Sequence, residues 1–271
     1  MNMNTNGNAY TIIYTTVVVA LVAAILAFAS LALAPKQDEN VKADTISQML
    51  AATKFFEKSE LEAMGNSKVL EEYVKCIKSS IIVGADGSQT GTLNKEKSEI
   101  YTTGQLKAQD KYIKGGKADK IALPVFIFEK DGETITVVPC YGAGLWGPIW
   151  GYIALNADLT IRGAYFDHSS ETPGLGAKIK DDPKFRAEFE GKTVDFAVVD
   201  KSGVKVPFEV VKGGAPAGQK NAVDAITGAT ITSKALGVAI ATWLRAYEPY
   251  LSSAKPAGSG ATQCDQPANA E

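Results

Sequence analysis

The chain has 271 residues, of which 45% are hydrophobic, so it can bury one large core or two modest ones and is not a disordered polymer. Its 28 basic and 30 acidic residues give a formal net charge of −2, which argues against a nucleic-acid partner, whose surface would demand an excess of basic side chains. Three cysteines, Cys76, Cys140 and Cys264, share no metal-ligand spacing, and an odd number cannot close into a complete set of internal disulfides, so no chemistry is assigned to them.

Residues 1–10 form a short uncharged segment, and residues 11–34 then run without a single Asp, Glu, Lys or Arg. The roughly 23 residues from Ile12 to Ala34, at about 1.5 Å each, make a helix of about 35 Å, enough to cross a hydrocarbon core of about 30 Å with modest tilt. Ala32-Leu33-Ala34 resembles a signal-peptide cleavage site, but there is no basic n-region, the apolar run is too long, and Pro35 would follow the cut. A retained transmembrane helix is the reading adopted. Lys36 and Lys42 follow the span and no lysine or arginine precedes it, a weak signal for a cytoplasmic bulk.

Residues 35–135 make up the N-terminal part of the soluble region. Within it, Pro35 to Ala43 reads as a polar linker, and Asp44 is expected to cap a helix running to Phe56 through Ile46, Met49, Leu50 and Thr53. A helical pattern over Val69 to Cys76 precedes a strand over Ile77 to Val83 that ends in Gly84-Ala85-Asp86-Gly87. The lysines at 107, 111, 114, 117 and 120 are interrupted by Asp110, Asp119 and Gly115-Gly116 and read as a solvated face. Leu123–Phe128 and Thr134–Val138 flank Lys130-Asp131-Gly132-Glu133, where Asp-Gly between two β-rich runs signals a hairpin. Gly151–Leu155 and Thr160–Phe166 suggest a second hairpin. A short helix near Pro183–Glu190 and strands at Val194–Val199 and Val206–Val211 follow.

A last helix, entered from the stretch Asp224 to Ser233 and running to about Tyr247, places Ile231, Ala235, Ala239, Trp243 and Tyr247 on one stripe that should face a core. Pro249 is expected to stop it, and residues 251–271 are expected to be a disordered tail.

Three stretches carry the chemistry. The first, Tyr141-Gly142-Ala143-Gly144-Leu145-Trp146-Gly147-Pro148, has G-x-G-x-x-G spacing. A dinucleotide fingerprint must open a helix, whereas Pro148 and the run Ile149 to Leu155 read as turn and strand, so the Rossmann reading is rejected. These glycines let backbone approach something flat, or equally serve a turn beside a core tryptophan. The second stretch is His168-Ser169-Ser170-Glu171-Thr172-Pro173-Gly174-Leu175-Gly176. Pro173-Gly174 suits a type II turn that would hold Thr172 and Leu175 outward. His168 is the only histidine, which excludes zinc sites built on two or three; Asp167, His168 and Glu171 leave room for a weak carboxylate site, but a loop histidine that orients its neighbours is the preferred reading. The third stretch, Asp224 to Ser233, places the hydroxyls of Thr227, Thr230, Thr232 and Ser233 at a helix start, where unpaired N–H groups and a partial positive charge cap the helix or receive an anion such as phosphate.

Taken in order behind one apolar span, Tyr-Gly-x-Gly-Leu-Trp-Gly, Glu-Thr-Pro-Gly-Leu-Gly and Asp-x-x-Thr-Gly-Ala-Thr-x-Thr-Ser resemble NqrC, a component of the sodium-translocating NADH:quinone oxidoreductase (Nqr). The related RnfG component of the Rnf complex shares the second and third elements, while Gly-Leu-Trp-Gly with Gly151 is similar to the Nqr version. Leu50 to Lys120 carries none of these motifs.

The resemblance implies an α+β fold: one N-terminal transmembrane helix followed by a mixed α/β FMN-binding domain with antiparallel hairpins, the domain occupying residues 136–250. It implies FMN attached through a phosphoester to the last threonine of Ser/Thr-Gly-Ala-Thr, here Thr230, with Thr227 standing where the family often has serine. Leu145, Trp146, Thr172 and Leu175 match the positions that line the flavin. Thr227, Gly228, Ala229 and Ser233 surround the attachment point, and Lys234 or Lys178 is a candidate countercharge. The chain would be an electron carrier within a six-subunit complex of the bacterial inner membrane that oxidises NADH, reduces quinone and moves sodium. It would have no acid or base residue of its own and would need a separate flavin transferase. The family places the domain on the periplasmic side, against the lysine signal. The competing readings are the Rnf-type component and a membrane-anchored module that binds a ligand without redox chemistry.

Overall fold

A computed structural model describes residues 7–253. Cys264 and all but the first three residues of the expected tail lie outside the described residues, as do residues 1–6 of the N-terminal segment.

The elements run α1 (Asn8–Thr53), α2 (Lys58–Ala63), α3 (Asn66–Cys76), β1 (Ile77–Val83), β2 (Gln89–Thr92), α4 (Thr103–Lys114), β3 (Leu123–Lys130), β4 (Glu133–Ala143), β5 (Pro148–Leu155), β6 (Ile161–His168), α5 (Lys178–Asp181), α6 (Pro183–Ala187), β7 (Glu209–Val211), β8 (Ala222–Asp224) and α7 (Thr230–Ser253). Six strands form one sheet in the order β2-β1-β3-β4-β5-β6, and every neighbouring pair is antiparallel. The architecture is therefore α+β, with a long apolar N-terminal helix leading into an antiparallel-sheet domain. The 135/136 division drawn from the motifs falls inside β4, because β1 to β3 belong to the same sheet as the motif-bearing strands.

Both faces of the sheet are covered, and the period-2 alternation of side chains decides which residue meets which layer. Phe126, Phe128, Val137, Tyr152 and Tyr165 pack against Ile46, Met49 and Leu50 of α1 and Val69 and Tyr73 of α3. Val125, Val138, Cys140, Ile153 and Phe166 face the opposite way, toward Leu106 of α4 and Leu236, Ile240, Trp243 and Tyr247 of α7. The Tyr247 hydroxyl donates to the Pro124 carbonyl at 2.7 Å, which satisfies a polar group inside this second layer.

The β3–β4 hairpin is joined as expected. Lys130 pairs with Glu133, leaving Asp131 (φ 52°) and Gly132 (φ 83°) as a two-residue loop with both φ angles positive, the geometry of a type I′ turn.

Other expectations are corrected. No linker separates the apolar span from the domain, because α1 continues unbroken through residues 35–43. Pro35 removes one main-chain hydrogen bond and crowds the carbonyl of Leu31, but helix-favouring residues on both sides carry the helix through. Asp44 is consequently mid-helix, where it accepts from Gln48 Nε2 at 2.9 Å instead of capping. Val194–Val199 is not a strand: the Asp195 carboxylate accepts from the Ala197 N–H at 2.9 Å, a local turn that competes with sheet pairing. Of the next run Glu209–Val211 forms the strand, paired in parallel with β8, while the Val206 N–H donates to the Val198 carbonyl at 2.8 Å. Pro249 does not stop α7, since burial of Tyr247 and Leu251 holds its last turn against the core. Ile231, placed on the core stripe by its spacing, is 60% exposed because each four-residue step drifts about 40° around the helix, which carries Ile231 away from the face of the buried Trp243 and Tyr247.

Because Leu50 is fully buried between α1 and the sheet, Leu50→Ala should destabilise the domain by about 3 kcal/mol. Thermal unfolding followed by circular dichroism checks this; a change within about 0.5 kcal/mol, as at ordinary surface positions, would show that α1 is merely a tether.

Candidate functional site

The site is built on the turn between β8 and α7. Gly228 adopts φ +82°, a conformation that L side chains rarely adopt, and this lets the chain reverse into the helix. The Ala229 N–H donates to the Ile226 carbonyl at 3.0 Å, and the Ser233 N–H closes the first helical turn on the Ala229 carbonyl at 2.9 Å. The N–H groups of Thr230, Ile231 and Thr232 precede that bond and have no carbonyl one turn below them, so they give the helix end its partial positive charge.

The four hydroxyls of this stretch divide into two roles. Ser233, expected beside the cofactor, is fully buried, and its Oγ accepts from the Ile226 N–H at 3.0 Å. It shapes the turn from beneath, the natural outcome for the side chain on the inward face of the first turn. Thr232 also points inward and donates to Glu171 Oε2 at 2.6 Å. Thr227 and Thr230 are exposed. Thr230 lines a cleft of about 480 Å³, together with Gly142, Ala143, Ile231, Ala235, Val238 and the lysines 114 and 234.

Glu171 joins the three sequence motifs. Its side chain is buried, at 4% exposure, and its two oxygens take different partners. Oε1 accepts from the Trp146 N–H of the β4–β5 loop at 3.0 Å, while Oε2 accepts from Thr232 at the start of α7. The Glu171 N–H in turn donates to His168 Nδ1 at 3.2 Å, so the single histidine orients its neighbour as expected. One glycine in each of the first two motifs follows from this crowding. A Cβ at Gly144 would collide with Glu171 Oε1, and one at Gly176 would lie 2.5 Å from Glu171 Oε2 and 2.7 Å from Thr232 Oγ1.

The Pro173-Gly174 turn forms as anticipated, with Gly174 at φ +74° and the Leu175 N–H donating to the Thr172 carbonyl at 3.1 Å. It leaves Thr172 exposed and Leu175 44% exposed, beside Gly228, whose Cβ would lie 3.1 Å from Leu175 Cδ2. Leu145 and Trp146 are 45% and 67% exposed. Leucines and a tryptophan left open on loops tied to one buried carboxylate form an apolar surface suited to a ligand. Asp167 and Glu171 do not share a ligand point: Asp167 turns to the other side of the sheet, where Gln48 Nε2 and Lys180 Nζ donate to it at 2.8 and 2.9 Å.

Burial pushes the Cys140 thiol up to about 12 and raises that of Cys76, so neither is a ready nucleophile. The part played by Lys114 and Ile231 in the cleft was not legible from spacing, since one looks like a solvated lysine and the other like a core residue.

A family model described as FMN-binding domain matches residues 144–245, a range that holds Leu145, Trp146, the Thr172–Leu175 turn and Thr230. A crystal structure of the Na(+)-translocating NADH-quinone reductase component NqrC from Parabacteroides distasonis is similar at a TM-score of 0.63 and 32% identity, covering 81% of this chain and 96% of that one. The chain belongs to this NqrC family. NqrC of Vibrio parahaemolyticus is 28% identical over 248 residues, 86% of this chain and 90% of the relative. NqrC of Pseudomonas aeruginosa is 29% identical over 250 residues, 89% and 93% of the two chains. A crystal structure of Shewanella oneidensis NqrC, at 24% identity and a TM-score of 0.57 over 80% of this chain and 98% of that one, supports the fold alone.

Because Glu171 makes two charge-assisted hydrogen bonds in a buried place, Glu171→Ala should cost about 3 kcal/mol. Equilibrium urea unfolding checks this; an unchanged midpoint would show that the three loops are held by something other than this carboxylate.

Proposed function

We propose that the chain is an electron-transfer component of a Na+-translocating NADH:quinone oxidoreductase and carries FMN as a phosphoester of Thr230. The observation that carries this reading is the division of the hydroxyls. Ser233 and Thr232 are committed to internal hydrogen bonds, and of the two exposed threonines only Thr230 stands at the first residue of α7 and in the cleft.

The residues fit the group. A phosphodiester keeps one negative charge, which the first-turn N–H groups of α7 and the ammonium of Lys234 would offset. Gly228 and Ala229 leave room around the attachment point because neither carries a side chain larger than a methyl. Leu145, Trp146, Thr172 and Leu175 would supply an apolar wall with one hydroxyl for the ring. FMN supplies the capacity to accept electrons from one centre and release them to another. The protein sets how readily through hydrogen bonds, nearby charge and burial. No side chain of the chain is asked to move a proton. The covalent tether keeps the group at an effective local concentration of order millimolar, so weak intrinsic affinity suffices for a carrier that cycles many times.

α1 is long and apolar enough to cross a bilayer. In this reading it anchors the chain in the bacterial inner membrane with the domain on the periplasmic side, among the other members of a six-subunit complex. A separate flavin transferase would make the phosphoester.

In-gel flavin fluorescence and intact mass of the denatured chain from its native membrane test the proposal. The natural sequence should show an excess of one FMN less one water, Thr227→Val should retain it, and Thr230→Val should lose both the mass and the fluorescence. An adduct that survives in Thr230→Val would refute the assignment.

A further inference from the structure

The cleft beside Thr230 has an unusual composition. Gly142, Ala143, Ile231, Ala235 and Val238 make most of its wall apolar, yet Lys114 and Lys234 also face it. Lys234 belongs to α7, the helix that begins at Thr230. Lys114 arrives from the end of α4, in the part of the chain that carries none of the family motifs.

Lys114 is held in place rather than free. Its Nζ donates to Asp110 Oδ2 at 2.7 Å, one helical turn earlier. Asp110 is itself buried, and its Oδ1 accepts from the Trp243 Nε1–H at 3.3 Å, so the pair is fastened to α7. The start of α4 is fixed too, by a capping box in which Thr102 and Gln105 satisfy each other's backbone N–H groups. An ion pair on a fully hydrated helix surface contributes little stability. The Lys114 side chain is 46% exposed at the wall of the cleft, so its charge acts on a neighbour there through partial solvent screening and more strongly at low ionic strength.

We propose that Lys114 sets the midpoint potential of the flavin carried by Thr230, with Asp110 as the residue that positions it. The proposal rests on the Thr230 attachment. The oxidised flavin ring is neutral, and uptake of two electrons and one proton leaves it with a negative charge. A fixed ammonium in the cleft favours that reduced anion and raises the potential, while the Asp110 carboxylate behind it moderates the effect.

The test is a spectroelectrochemical titration of the full chain in detergent, with the adduct confirmed by intact mass in every sample. Lys114→Met should move the midpoint potential to more negative values, and Lys114→Arg should leave it near that of the natural chain. Asp110→Asn removes the moderating charge and should move it to more positive values. Opposite shifts distinguish an electrostatic role from a structural one, because loosening either end of a structural pair acts in the same direction. If Lys114→Met carries the adduct and its potential is unchanged, the role of Lys114 is overturned while the Thr230 assignment stands. If the natural chain, made with its transferase present, carries no adduct, both are overturned.

Discussion

The site depends on where the Glu171 carboxylate is buried. A buried carboxylate must be compensated, and here the compensation comes from two segments far apart in sequence, the β4–β5 loop through Trp146 and the start of α7 through Thr232. Each partner is thereby fixed relative to the other. The loop can present Leu145 and Trp146 to solvent, and the helix can present Thr230, only because their inward-facing groups are engaged beneath them.

The packing supports the same division of labour. α7 lies across one face of the sheet, with Leu236, Ile240, Trp243 and Tyr247 in the core, and its open end shares a cleft with Gly142 and Ala143, the last residues of β4. The other face is closed by the continuation of α1, which is both the apolar N-terminal helix and a core element. Gln48 of α1 donates to Asp167, the residue next to His168, and His168 accepts from Glu171. A continuous run of hydrogen bonds and peptide bonds therefore links the helix proposed as anchor to the turn that presents Thr172 and Leu175.

Local chemistry made much of this visible in the sequence. Asp131-Gly132 and Pro173-Gly174 demand particular backbone angles and adopted them. The order of the three motifs pointed to the family, and the fold brings all three to one carboxylate, which Gly144 and Gly176 leave room for and Thr232 donates to. What stayed hidden was decided by tertiary context. Prolines 35 and 249 read as helix ends, yet neither ends a helix, because helix-favouring neighbours in one case and core burial in the other outweigh a single lost hydrogen bond. Ile231 has the spacing of a core residue and faces outward, and Ser233 has the chemistry of a ligand residue and faces inward, since two residues at about 100° each put their side chains on opposite faces of the same turn. Lys114 sits in a run of mixed charge, and nothing local distinguishes it from its solvated neighbours. Only the packing of α4 against α7 places it at the cleft.

The central claim is that one hydroxyl among four in the β8–α7 stretch carries the flavin. Trypsin should release this stretch as a single peptide, Asn221 to Lys234, which contains Thr227, Thr230, Thr232 and Ser233. Tandem mass spectrometry of that peptide from the natural membrane protein is the most direct measurement. The account predicts fragment ions that localise the FMN phosphoryl group to Thr230, with the fragments up to Ala229 unmodified. Localisation to Thr227, or to the buried Thr232 or Ser233, would contradict it.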